Sequence, residues 1–209
     1  MSDVEIIGLP QSNFVWAVRI ALAEKGVAHT ATSASPHSPP VTAIHPLGKV
    51  PVMRHGEVTL GESHAIIDYV DRVFPGPALV PADPSAAAVV DMWASIVVST
   101  MEPVLIRQFL FAYFFPGTEY GSPDRVRIDA SLPVLNTYLN LLDATIAAGT
   151  IGGNVFTRVD AYLVPILFYL RNTPEGGSAI AGRPSLTVYL EDRLTRPSVT
   201  STMPPPPAG

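Results

Sequence analysis

Three polar groups stand where their chemistry could act on a small ligand. The segment His45-Pro46-Leu47-Gly48-Lys49-Val50-Pro51-Val52-Met53 puts a proline at the entrance to a strand, and Gly61-Glu62-Ser63-His64-Ala65-Ile66 puts an acid–serine pair at the start of a helix. A helix N-terminus leaves peptide N–H groups unpaired and carries partial positive charge, so it suits a carboxylate. Ser63 adds a hydroxyl donor, and Glu62 can accept from an ammonium group. Together the two segments can hold a short peptide-like ligand by its backbone and by its charged end. Glu62 and Ser63 also suit plain helix capping, and a cap can share its donors with a ligand. Pro51 by itself also fits an ordinary edge strand. The third group is Ser12, in Pro10-Gln11-Ser12-Asn13, directly before the first helical pattern. Its type fits an N-cap as well as a hydroxyl donor.

These groups need elements to hold them. Residues 4–7 read as a strand, and Val15, Val18 and Leu22 recur at helical spacing up to Lys25-Gly26. Residues 27–32 read as a second strand. Residues 34–40, rich in Ser and Pro, are expected to be irregular. Residues 50–53 and 58–60 form a hairpin around His55-Gly56, followed by a helix over 63–74. Beyond Pro81-Ala82-Asp83-Pro84 the periodicity is helical. Ser122 reads as an N-cap with Pro123 at the first helical position, and Pro133 as a kink. Thr157-Arg158-Val159-Asp160 has the form of a capping box, and residues 185–194 form a last helix.

Composition removes several alternatives. The chain has 209 residues, 47% of them hydrophobic and 15% charged, so a sizeable core is expected. A net charge of −5 without basic clusters argues against nucleic acid and anionic membrane as partners. No unbroken apolar run reaches ~18 residues, so no membrane span is expected. Met1-Ser2-Asp3-Val4-Glu5 has no basic, then apolar, leader, so a cytoplasmic location is expected. There is no cysteine, which excludes disulfides, thiolate metal sites and a protein thiol nucleophile. His29, His37, His45, His55 and His64 are not spaced as ligands, so no metal is expected.

In these motifs and their order the chain resembles the soluble glutathione S-transferases over almost its whole length. Their pattern is close to Asn-Pro-x-Gly-x-Val-Pro, a strand-turn-strand, then Glu-Ser-x-Ala-Ile. His45 stands here in place of the usual Asn. The segment from Leu9 to Gly26 resembles the serine-type members, and the resemblance points to a bacterial source. It implies an α/β thioredoxin-like domain at 1–76 that binds glutathione, a linker at 77–84, and an all-α helical domain at 85–209 ending in a disordered Pro-rich tail. It also implies glutathione as co-substrate, a homodimer, and a cis bond before Pro51. Val50 would pair, strand-like, with the cysteinyl part of the tripeptide. Glu62 and Ser63 would hold its γ-glutamyl end, and Lys49 and His37 its glycyl carboxylate. Ser12 would be the activating residue, donating to the glutathione sulfur near a positive helix end, with Asn13 as a stand-in donor.

A tyrosine-type site would need Tyr on or just after the first strand, and Ile6-Ile7-Gly8 has none. The electrophile would meet an apolar pocket from Phe14, Met101, Ile106, Phe109 and Tyr113; such an aromatic cluster also suits plain core. Two other readings stand beside conjugation. One is a different glutathione-dependent reaction: isomerisation, dehalogenation, peroxide reduction or ether cleavage. The maleylacetoacetate-isomerase type carries a Ser-Ser-Cys run where this chain has Ser12-Asn13-Phe14. The other is a non-catalytic binding or regulatory module on the same fold.

Overall fold

The computed structural model describes residues 3–117 and 121–205. The part of the expected tail from Pro206 onward lies outside the described residues. The chain divides into two units, Met1–Ala82 with Leu194–Gly209, and Asp83–Arg193.

In the first unit the order is β1 (Val4–Ile7), α1 (Asn13–Glu24), β2 (His29–Thr32), α2 (Pro39–Thr42), β3 (Val52–His55), β4 (Val58–Gly61) and α3 (Ser63–Val73). The sheet runs β2-β1-β3-β4, with β1 parallel to β2 and antiparallel to β3, and β3 antiparallel to β4. This is the thioredoxin-like arrangement. A parallel neighbour requires a crossover connection, and α1 supplies it. β1 is an inner strand, and Val4, Ile6 and Ile7 are all buried. Its Glu5 faces Arg54 of β3 in register and pairs with it at 3.1 Å. α1 buries Val15, Trp16, Ala17, Val18, Ile20, Ala21 and Leu22, and packs on α3.

The segment expected to be irregular ends inside α2, whose first two residues are Pro39 and Pro40. Pro39 sits in its first turn, where a missing N–H costs nothing. The turn buries Val41 against Ile7 and Val52. One buried side chain on a four-residue turn leaves no periodicity to read.

The C-terminal boundary differs from the sequence expectation. A short turn, Pro197–Thr200, and the residues around it belong to the first unit and clamp α1. Arg196 donates Nε and Nη2 to the two oxygens of Glu24 at 2.9 and 2.8 Å, and Ser198 donates to the same carboxylate. Trp16 donates its indole N–H to Thr202 at 3.1 Å. The expected linker is tied down as well: Asp71 accepts from Leu79 N, Val80 N and Lys25 Nζ at 2.9, 3.2 and 2.9 Å, and Leu79 is buried. Glu24→Ala strands the Arg196 guanidinium, which is partly exposed. The expected loss is about 2 kcal/mol, below the range for a fully buried pair. A urea melt checks it; a change under ~0.5 kcal/mol would show that the clamp is not part of the stability of α1.

The second unit is helical: α4 (Pro84–Phe114), α5 (Arg125–Ala147), α6 (Arg158–Arg171), α7 (Pro174–Ala181) and α8 (Pro184–Thr195, whose last two residues fall in the first unit). α4 starts on Asp83, which accepts from Ala86 N at 2.8 Å. It widens to π-type turns over Ile96–Met101 and Pro103–Leu110, around a proline that has no N–H to donate. Among the described residues α4 is long and apolar enough, by length and composition only, to cross a membrane. Its residues Val90, Trp93, Ala94, Val97, Met101, Leu105 and Ile106 recur at helical spacing and are buried, the pattern of a core helix. α6 is buried along almost its whole length and packs on α4 and α7.

Two boundaries differ from expectation here. α5 starts on Asp124, which accepts from Arg127 N at 3.1 Å, so the cap is Asp124 and not Ser122. α7 was not foreseen because Gly176 and Gly177 are poor helix formers. A Cβ on Gly176 would lie too close to the Leu170 carbonyl at the end of α6, so the glycine permits that close turn.

Candidate functional site

The candidate polar groups of the first unit lie at one end of its sheet, where β1 leads toward Ser12, Val50 precedes β3, and β4 leads into Glu62 and Ser63. Ser12 is the N-cap of α1, with extended backbone, and its oxygen accepts from Val15 N at 3.4 Å. Capping uses the oxygen as acceptor and leaves the hydroxyl proton to be donated elsewhere. The first turn of α1 carries no acidic residue, so its positive end is not neutralised. Gly8 sits between this turn and Val50. A Cβ there would lie 2.6 Å from Val15 Cγ2 and 3.0 Å from Val50 Cβ. The missing side chain lets the start of α1 and Val50 share one neighbour.

Val50 packs its side chain against the Ile7, Val41 and Val52 cluster. The Val50–Pro51 bond is cis. Among the described residues neither the N–H nor the C=O of Val50 forms a hydrogen bond within the protein. A peptide unit with both groups unpaired, beside a strand, can receive an extended ligand backbone.

Lys49 is exposed, and among the described residues its ammonium has no acid partner. His37 lies over Gly48: its N–H donates to Gly48 O at 2.8 Å, and a Cβ on Gly48 would strike the imidazole. His37 therefore neighbours the Gly48–Lys49–Val50 run.

Glu62 caps α3 without a side-chain bond to the helix, and Ser63 is its first residue. Ser63 is buried, and among the described residues its hydroxyl has no hydrogen-bond partner. The Ser63 oxygen reaches the surface, so at this helix N-terminus its hydroxyl is free to donate to a ligand. Among the described residues only His37 and Glu62 are non-glycine residues with positive φ, at 62° and 67°. Such backbone clusters at ligand-holding sites, where the surroundings impose it.

The remaining candidates lie apart from these groups in the chain. Phe14 is half-buried on α1 of the first unit. Met101, Ile106 and Phe109 are buried in the second unit, and Phe109 meets Tyr113 edge to face at 5.6 Å. Tyr113 donates to Glu175, whose carboxylate also pairs with Arg125 at 2.6 Å. Burial first, and then the Glu175 carboxylate, push the Tyr113 phenol up to about 12, so it holds its proton at neutral pH. Among the described residues no three His, Asp or Glu side chains group as metal ligands.

One residue of the site was noted in sequence only as a departure. His45 is buried and joins the loop before Val50 to Glu62. Its lone signal was a histidine in an otherwise familiar motif.

Residues 6–78 match the family described as glutathione S-transferase, N-terminal domain. A maize protein named glutathione S-transferase 3 is 28% identical over 100% of this chain and 99% of its own length. The solved apo structure of a glutathione S-transferase III superposes with a TM-score of 0.86 at 27% identity, covering 100% of both chains. A theta-class glutathione S-transferase of Xanthomonas axonopodis pv. citri, solved with glutathione bound, gives a TM-score of 0.80 at 26% identity, covering 97% of this chain and 98% of that one.

Proposed function

From its likeness to glutathione S-transferases over its whole length, we propose that the chain joins the glutathione thiolate to a small apolar electrophile, with Ser12 as the residue that stabilises the thiolate. The observation that carries this reading is the pair of polar groups without a protein partner in one unit, the Val50 peptide and the Ser63 hydroxyl.

In this reading the cysteinyl N–H and C=O of glutathione pair with the Val50 C=O and N–H. The γ-glutamyl carboxylate accepts from the Ser63 hydroxyl and the free N–H groups of α3, and the adjacent ammonium donates to Glu62. Lys49 and His37 face the glycyl carboxylate. The thiol then lies at the start of α1. A free thiol has a pKa of ~8.5, so about 3% is thiolate at pH 7. One hydrogen bond to a charged acceptor contributes roughly 1.5–3 kcal/mol, and one pKa unit is ~1.4 kcal/mol. A hydroxyl that prefers the thiolate can therefore lower the pKa by about 1–2 units and bring the thiolate to about half. The proton leaves to solvent. The sulfur lone pair forms the C–S bond, and the electrophile's leaving group departs with its bonding electrons, or its π electrons move onto an acceptor atom.

Isomerisation, dehalogenation, peroxide reduction and ether cleavage would begin from the same bound thiolate. The electrophile pocket is assigned to Phe14, Met101, Ile106, Phe109 and Tyr113 on their apolar character. The reading places the protein in the cytoplasm as a homodimer, supported by family likeness.

Calorimetric titration with glutathione tests the binding step. The native protein is expected to bind, and Glu62→Gln and Ser63→Ala are each expected to weaken binding about 10-fold, or ~1.4 kcal/mol. Absence of binding by the native protein, or affinities unmoved by both substitutions, would contradict the reading.

A further inference from the structure

We propose that His45 is a positioning residue that orients the Glu62 carboxylate toward the ammonium of glutathione, an inference that rests on the glutathione reading above. The His45 side chain is 4% exposed, whereas that of Glu62 is 66% exposed. Leu47 donates its backbone N–H to His45 Nδ1 at 3.0 Å. That makes Nδ1 the acceptor and puts the hydrogen on Nε2, which donates to Glu62 Oε1 at 3.0 Å. The ring lies against the backbone just before Glu62: a Cβ on Gly61 would be 2.6 Å from His45 Cδ2. Glu62 makes no cap bond to its own helix. Among the described residues its second oxygen has no partner. Oε1 is thus fixed by the ring, and Oε2 is left for a ligand.

An exposed glutamate on a free backbone samples many rotamers, and ordering it on binding weakens affinity. Here a buried histidine, held twice through its backbone and once through its ring, does the ordering beforehand. His45 N donates to Val41 O at 2.8 Å, Gly48 N donates to His45 O at 2.9 Å, and Leu47 N holds the imidazole. Shortening the side chain to asparagine keeps a group able to accept from Leu47 N but cannot span to Glu62. Glutamine reaches about as far as Nε2 and restores a donor.

The test compares glutathione with its analogue lacking the amine, glutaryl-cysteinyl-glycine, by calorimetry and steady-state kinetics on native, H45N, H45L and H45Q proteins, with thermal melts confirming that each variant folds. The native protein is expected to prefer glutathione over the analogue. H45N and H45L are expected to bind glutathione about 10-fold more weakly, with the KM for glutathione raised in step and kcat within about twofold of native. Their affinity for the analogue stays native, because it has no ammonium to meet Glu62. H45Q recovers most of the lost affinity. If H45N keeps the native preference, or if both ligands weaken equally, His45 does not act through Glu62 and the proposal is overturned while glutathione binding stands. If the native protein itself does not distinguish the two ligands, the Glu62 anchor of the glutathione reading fails, and this proposal with it.

Discussion

Replacing Ser12 by alanine is expected to lower kcat/KM for conjugation about 100-fold while the affinity for glutathione changes less than threefold. The residue sits at the N-terminus of a twelve-residue helix with no acid in its first turn, where both its hydroxyl and the helix end favour an anion. Removing one donor from a developing or resident anion costs ~10²–10³ in rate. The helix end remains in the variant, which places the effect at the low end. Two roles of Ser12 must be separated, because its oxygen also caps Val15 N. Loss of the cap alone costs ~1 kcal/mol of stability with alanine, but only a few tenths with glycine. Ser12→Gly therefore keeps most of the cap energy and loses the hydroxyl; it is expected to be as inactive as alanine. Ser12→Thr keeps both and is expected to retain most activity. Steady-state kinetics on the three variants decide it. Glycine and alanine variants within threefold of native would remove Ser12 from the chemistry.

Asp160→Ala is expected to cause the largest loss of stability, about 3 kcal/mol, because buried Arg193 and Tyr189 lose their buried partner and Arg193 keeps as polar partners the exposed Asp192 and the Gly153 carbonyl. Asp160 is 1% exposed and sits at the start of α6. It accepts from Thr157 N and Thr157 Oγ1 at 2.7 and 2.9 Å, from Tyr189 OH at 2.9 Å, and from Arg193 Nε at 3.0 Å. The Arg193 side chain is 5% exposed, so its charge cannot turn to water when the acid is removed. Burial first, and then the Asp160 charge, hold the Tyr189 phenol well above its ordinary pKa, so that hydroxyl stays a donor and also loses its acceptor. Domains of this size are stable by roughly 5–15 kcal/mol, so this one change can leave a large unfolded fraction. Asp160→Asn keeps an acceptor and is expected to fall between. Urea unfolding measures both; a loss under ~1 kcal/mol for alanine would mean that the helical unit does not depend on this cluster.

What could be read from sequence was what lies close along the chain. The β-α-β opening, the hairpin and α3 each announce themselves by local periodicity, and the structure has them. Thr157 and Asp160 are three residues apart, and their box is present. Partners far apart in sequence left no signal. Glu24 and Arg196 are separated by 172 positions, so the final segment was assigned to the helical part although it clamps α1. The role of His45 was hidden for a related reason: its contact depends on the left-handed backbone at Glu62, which no residue type announces. The helices α2 and α7 were missed because proline and glycine weaken the local pattern that tertiary packing then overrides. Of the candidate site, Val50, Glu62 and Ser63 were singled out from two half-motifs, and that the Val50 peptide and the Ser63 hydroxyl lack protein partners became visible only in three dimensions.

The central claim is that the protein binds glutathione as a thiolate. The most direct measurement is the thiolate absorbance of bound glutathione followed against pH at saturating protein. The account predicts a midpoint about 1–2 units below the ~8.5 of a free thiol, returning toward the free value in Ser12→Ala. Bound glutathione that titrates like the free tripeptide, or no bound glutathione at all, would contradict it.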